Sequence, residues 1–287
     1  MTTPRRSSPT LRRRRLEDEL KRLRHERRLS STEVARTLGW SQGKLSKMES
    51  GEWIRPNPRD AEDLGKLYGV DDAKLNELIQ LARDSREKDG WWYPYRKQIS
   101  HEYSAYIGFE AGAAELFAFE PLMIHGLLQT EDYARSIFAA SAAEMSPEDV
   151  EQRVAIRATR QELVTRADDP LRLWVVLHEA ALRTVVGDEA VMAAQLSHLA
   201  EVSKLAKVTI QVMPFTAGAH AGITGGFTIM AFPDELDPDV AYVENPAGQH
   251  FIEDGEEVGR FKVAFQRLQA KALSIEASLD LIADMAK

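Results

Sequence analysis

The stretch that most constrains this chain is residues 29–51, LSSTEVARTLGWSQGKLSKMESG, because its punctuation leaves room only for two short helices and a tight turn. Ser30, Ser31 and Thr32 supply an N-cap, and Val34, Ala35 and Leu38 form the apolar side of the first helix. Gly39 stops it, Trp40 gives the turn a side chain to bury, and Ser41 is a second N-cap candidate. Leu45 and Met48, three residues apart, anchor the next helix, which leaves Gln42, Lys44, Ser46 and Lys47 on its outer side. An amide pairs bidentately with adenine, an ammonium reaches guanine or phosphate, and a hydroxyl serves either, so this outer side has the chemistry of groove reading. The alternative is an ordinary helical hairpin whose polar face is only solvated.

The flanks complete a small all-helical domain. Leu16, Leu20 and Leu23 predict a first helix from about Leu11 to Arg27. Asn57-Pro58 opens a helix with Ala61, Leu64 and Leu67 inward, and Asp71 caps a fifth with Leu75, Leu78, Ile79 and Ala82 inward. Residues 11–89 thus read as one five-helix domain behind a basic leader, 1–10, expected to be disordered. Residues 1–60 hold 16 Lys and Arg against 8 Asp and Glu, a net of +8; the whole chain is at -8, which leaves -16 for residues 61–287. A basic front end neutralises phosphates, and an acidic remainder disfavours non-specific adhesion to nucleic acid. Arg12 and Arg13, in the run Arg12 to Arg15, form either an N-terminal arm on phosphate or in a minor groove, or a solvated helix start.

At 287 residues with 44% hydrophobic content the chain can bury two cores. It has no cysteine, which excludes disulfides and thiolate metal sites. No apolar run approaches the roughly 18 residues of a membrane span, and the arginine-rich start lacks the apolar segment of a secretion signal. No membrane partner is therefore expected, and the location expected is cytoplasmic, on the nucleoid when bound to DNA. Residues 90–108 read as an aromatic linker, in which WWYPY either wedges two domains together or stacks on a ligand.

Residues 109–287 change character. Phe109–Phe119, Glu131–Ala142 and Pro147–Thr165 read as helices, 171–177 (LRLWVVL) as a strand, and the stretches around 178–185 and 188–205 as further helices. VTIQVMPF, GFTIMAFP and DVAYVEN are three more strands, Gln249–Glu253 a fifth, and two helices close the chain. Strands that mostly follow one another directly favour an antiparallel sheet, so the fold class is multi-domain: an all-α five-helix domain, then an α/β (α+β) domain with a mostly antiparallel sheet.

The first half resembles the Cro/repressor-like (XRE-type) helix-turn-helix family in its five-helix bacterial form, with cap, small residue, turn glycine, second cap, SQxKLSK and Glu49-Ser50-Gly51 in one register. By that resemblance Ser31 and Ser41 hold phosphate, Gln42, Lys44 and Lys47 face base edges, and Ser46 faces either. Gly43 departs from the pattern: it stands where a reading side chain is common, and it costs the helix about 1 kcal/mol relative to alanine. The second half, through EPLMIHGLLQTEDYAR, RQELVTR, LWVVLHEAALRTVVG, VTIQVMPFTAGAHAGITGGFTIMAFP and VAYVEN, resembles the domain of unknown function behind a helix-turn-helix in many actinobacterial regulators, the WhiJ-like and Scr1-like antitoxin group. Together the resemblances imply a sequence-specific transcriptional regulator on a double-stranded DNA operator, antitoxin-like. Its C-terminal domain would bind a small protein from an adjacent gene, or a ligand, that modulates DNA binding. One reading helix covers few base pairs, so a homodimer on a two-fold repeat is expected.

Chemistry in the second half is sparse. His178, His198, His220 and His250 lack metal-ligand spacing, and His178-Glu179 begins like H-E-x-x-H but Leu182 stands where the second histidine belongs. Residues 214–226, PFTAGAHAGITGG, offer the one candidate ligand loop, with His220 between Phe215 and Phe227; the same glycines also make a plain tight turn. With no nucleophile elbow, paired-carboxylate motif or dinucleotide fingerprint, no catalytic residue, metal or cofactor is expected. A DNA-tethered enzyme or small-molecule sensor is the alternative.

Overall fold

The computed structural model describes residues 8–50, 53, 55–86, 90–95, 99–141 and 145–287. The chain divides into two units, Met1–Lys97 with Ser104–Gly112, and Gln98–Tyr103 with Ala113–Lys287. No helix of the described residues is long and apolar enough to cross a membrane.

The first unit is all-helical. Ser8 caps α1 (Pro9–Glu26) by accepting from the Leu11 amide, and Pro9 at the first position gives up a donor that had no partner anyway. Helix therefore begins inside the expected leader: Ser8 and Thr10 are buried, because both lie under α6 (His101–Gly112). Gly108 and Gly112 permit that approach, since a Cβ on either would sit within 2.2 Å of Thr10 or Leu11. Residues 104–112 of α6 belong to this unit, so its core has a sixth helix, whose start lies in the segment read as an aromatic linker. Between them run α2 (Ser31–Leu38), α3 (Gln42–Glu49), α4 (Pro58–Leu67) and α5 (Asp72–Asp84), with Ser30, Ser41, Asn57 and Asp71 at their N-cap positions. Leu16, Leu20, Val34, Leu45, Met48, Leu64, Tyr68 and Leu78 fill one shared core, with Trp40 and Trp53 packed at its margin.

The second unit is built on one mixed sheet in the order β3-β2-β1-β4-β5-β6. Its strands are β1 (Glu115–Glu120), β2 (Arg172–His178), β3 (Val208–Met213), β4 (Phe227–Ala231), β5 (Val240–Asn245) and β6 (Gly248–Ile252). β1, β2 and β3 run parallel. The crossovers that parallel neighbours require are filled by α7 (Glu131–Ser141) with α8 (Pro147–Thr165), and by α9 (Glu179–Arg183) with α10 (Glu189–Val202). The remaining three of the five pairings are antiparallel and follow the hairpin-like second half of the chain. The reading of Phe109–Phe119 as a single helix fails after Gly112, for β1 is a central strand with Leu116, Ala118 and Phe119 buried. A strand covered on both faces shows a near-continuous apolar run instead of alternation, and such a run is indistinguishable in sequence from a buried helix.

α11 (Gly255–Lys271) lays Phe265 and Leu268 on the sheet against Phe119, Val176, Met213, Phe227 and Ile229. The chain then turns along β3, an outer strand of the sheet, into α12 (Ile275–Met285). Leu273 donates to the Val212 carbonyl, and the buried Ser278 hydroxyl accepts from the Val212 amide, both at 2.9 Å. These bonds satisfy backbone groups that an uncovered edge would offer to another chain. Ser278→Ala is expected to strand the Val212 amide and lower stability by about 1–3 kcal/mol, read from urea unfolding.

Candidate nucleic-acid interface

The turn between α2 and α3 is closed by backbone chemistry. A capping box holds the start of α2: the Ser30 hydroxyl accepts from the Glu33 amide, and the Glu33 carboxylate accepts from the Ser30 amide at 2.8 Å. At its end Gly39 takes φ 66°, the left-handed region in which glycine has no Cβ penalty, and Trp40 N–H reaches the Ala35 carbonyl at 2.8 Å. α3 then emerges with Leu45 and Met48 in the core and Gly43, Ser46 and Lys47 exposed. The spacing 43, 46 and 47 makes these one face.

A guanidinium fixes where that face points. Arg24 of α1 is buried, and its Nε and Nη2 donate to the two carboxylate oxygens of Glu49, the last residue of α3, each at 2.7 Å. Its Nη1 donates to the Leu29 carbonyl at 2.7 Å, so one side chain ties α1 to both the approach to α2 and the end of α3. The hydrogen bonds it donates to Glu49 hold the Arg24 pKa above its ordinary value. Planar bidentate pairing adds direction as well as energy.

The structure sorts the residues marked out by sequence. Ser46 and Lys47 are exposed on the outer face of α3, and Ser41 is exposed at its N-cap without a side-chain capping bond. Ser31 is the first residue of α2, where Ser30 rather than Ser31 does the capping. Gln42 opens α3, and its side chain lies outside the described residues. Lys44 departs from expectation: its Nζ donates to Asp60 at 2.8 Å and lies 3.8 Å from the centroid of Trp40, so its charge is engaged by α4 and the turn. Arg12 and Arg13 lie within α1 instead of an arm, paired with Asp84 at 3.5 Å and Glu17 at 4.0 Å.

In the second unit Phe215 and His220 come together with a partner that sequence did not nominate. His178 lies 5.2 Å from Phe215 and 5.6 Å from His220, centroid to centroid, and His220 lies 5.3 Å from Phe119. Phe227 belongs to the core, buried against Phe119 and Phe261. Among the described residues no group of three or more His, Cys, Asp and Glu side chains is arranged to hold a metal ion. Two titratable groups elsewhere in this unit escaped sequence reading altogether. Glu120, at the end of β1, is pushed up to about 8 by burial and by Glu244. His125 is buried and pushed down to about 3 by burial and by the charges of Arg160 and Arg157.

These shifts have opposite signs in stability. Glu120 keeps its proton to about pH 8 when folded but only to about 4.5 when unfolded, so stability declines as pH rises across that window. His125 stays neutral down to about 3 when folded, whereas the unfolded ring takes a proton below 6.5, so stability declines as pH falls through that range. Glu120→Gln is expected to flatten the alkaline decline and leave the acid one, and urea midpoints between pH 5 and pH 8.5, about the span where the two states differ in protonation, check this.

A helix-turn-helix domain model matches residues 15–78, spanning the turn, the exposed face of α3 and the Arg24–Glu49 pair. No curated protein and no solved structure matches the chain. A second model, described as a domain of unknown function (DUF5753), matches residues 103–284 and so takes in the entire mixed sheet. The chain belongs to the DUF5753 family, with a helix-turn-helix domain ahead of the family's own domain.

Proposed function

We propose that this protein is a sequence-specific transcriptional regulator in which α3 reads operator DNA and the DUF5753 unit receives the signal that modulates the reading. The observation that carries this is the rigid seating of α3: its apolar side is buried, its last residue is gripped by Arg24, and Ser46 and Lys47 are exposed on the opposite face. A short helix held in this way keeps its side chains in register with base edges, which is what discrimination between sequences requires. The net charge of +8 over residues 1–60 supports phosphate contact around that helix.

The finer reading is a homodimer on a two-fold operator, cytoplasmic and nucleoid-associated, acting as a binding module without catalysis. The resemblance to WhiJ-like and Scr1-like regulators supports an antitoxin-like role, with a small protein from an adjacent gene as modulator. Sequencing the DNA fragments retained by the purified protein, with that gene product present and absent, tests both parts at once. A shared two-fold motif among the fragments is expected, with its recovery changed by the partner; random fragments would sink the proposal.

Within α3 the roles of the two lysines are expected to separate. Lys47→Ala should weaken operator binding by about 1–3 kcal/mol at fixed salt with the thermal midpoint unchanged. Lys44→Ala should lower the midpoint of the helical unit slightly, as a partly exposed ion pair does, and affect operator affinity less. Equal losses of affinity in the two variants, measured by fluorescence anisotropy, would place Lys44 back on the reading face.

A further inference from the structure

Three parallel strands end on one edge of the sheet, and the side chains gathered there have no part in DNA reading. β1 ends at Phe119-Glu120, β2 at His178, and β3 at Met213, after which residues 214–226 loop back to β4. The carboxyl edge of parallel strands is where open α/β sheets take up ligands. Here it carries the rings of Phe215, His178, His220 and Phe119, each within 5.6 Å of the next.

Hydrogen bonding fixes the protons on the two imidazoles. The Ala180 amide donates to His178 Nδ1 at 3.1 Å, and the Gly222 amide donates to His220 Nδ1 at 3.2 Å. A ring nitrogen that accepts an N–H carries no proton, so in each neutral ring the proton sits on Nε2. Both rings are partly exposed, and neither Nε2 has a hydrogen-bond partner among the described residues. The arrangement is the reverse of a metal site, in which the second nitrogen donates and Nε2 offers a lone pair. It presents two N–H donors instead.

The charged groups beside the two rings already have partners. Glu179, beside His178, is engaged as an acceptor, from Phe215 N–H at 2.9 Å and Arg183 at 2.7 Å. Burial, and then the charges of His178 and Lys271, hold the His220 pKa below its ordinary value, and Lys271 donates to the Ala219 carbonyl at 2.5 Å. The loop is held in place beforehand: Gly222 sits so close to Phe119 that a Cβ would come within 2.4 Å of its ring. Phe215 and Ile223, at 53% and 69% exposure, offer apolar surface on the same loop.

We propose that this edge binds a small organic anion, a carboxylate on an apolar body, whose oxygens accept from the Nε2–H groups of His178 and His220 while its apolar part lies against Phe215 and Ile223. The site deepens the reading of the DUF5753 unit as the part that receives a signal, but its occupancy is measured without DNA. Titration calorimetry of the full-length protein with 4-phenylbutyrate, 4-phenylbutanamide and 4-phenylbutylamine is the test. The carboxylate is expected to bind, the amide more weakly, and the amine not at all. His178→Asn and His220→Asn keep an acceptor where Nδ1 was, and so keep the backbone bond, but lack Nε2–H; each should lower carboxylate affinity about tenfold, the loss of one hydrogen bond to a charged acceptor, with an unchanged thermal midpoint. Comparable binding of the amine, full affinity in both Asn variants, or no saturation by any of the three compounds overturns the site. Carboxylate binding that leaves DNA retention unaltered upholds the site and counts only against its regulatory role.

Discussion

The fork of Arg24 on Glu49 is the contact on which the helical unit depends. α3 has eight residues, too few to hold a helix by itself, and among the described residues Leu45 and Met48 are the buried side chains that anchor it to the core. Two apolar anchors on one side leave a short cylinder free to roll about its axis, whereas a planar guanidinium engaging both carboxylate oxygens fixes that rotation. Because the same side chain also binds the Leu29 carbonyl, the approach to α2 and the end of α3 share one reference point on α1. Breaking such a pair by removing one partner leaves a buried charge uncompensated, which makes it costly to lose as well as directional.

The second unit relies on different means. Its parallel strands are separated by helical crossovers, and its outer strand β3 is covered by the turn between α11 and α12. Buried polar groups here are held by one another: the Gln195 amide donates to Leu128 O, its oxygen accepts from Thr130 N, and Gln161 reaches the Gly126 and Gln129 carbonyls. Networks of this kind specify one arrangement of loops when every member is satisfied.

Legibility in sequence followed range. Caps, the Gly39 turn and the i, i+3 anchors are local signals, and α1 to α5, α8 and the later strands were readable from them. Arg24 and Glu49 are 25 residues apart, and neither carries a mark that distinguishes it from a solvated charge. The ion pair of Lys44 is hidden in the sequence because its partner Asp60 lies on another helix, 16 residues on. β1 was misread because being covered on both faces erases the alternation by which strands are recognised. His178 looked like half of an abandoned zinc motif; its actual work, capping α9 through Nδ1, depends on where β2 stops.

Gly43 has a meaning that outlasts its missing contact. A Cβ built there meets nothing within 4 Å, and the residue lies at the N-terminal end of the exposed face of α3. Any side chain placed at that position would add helix propensity without disturbing the core, the turn or the Arg24 fork. The surface chemistry of α3 is therefore uncoupled from its packing at this one site, where a single substitution can change the outward face without the fold having to accommodate it.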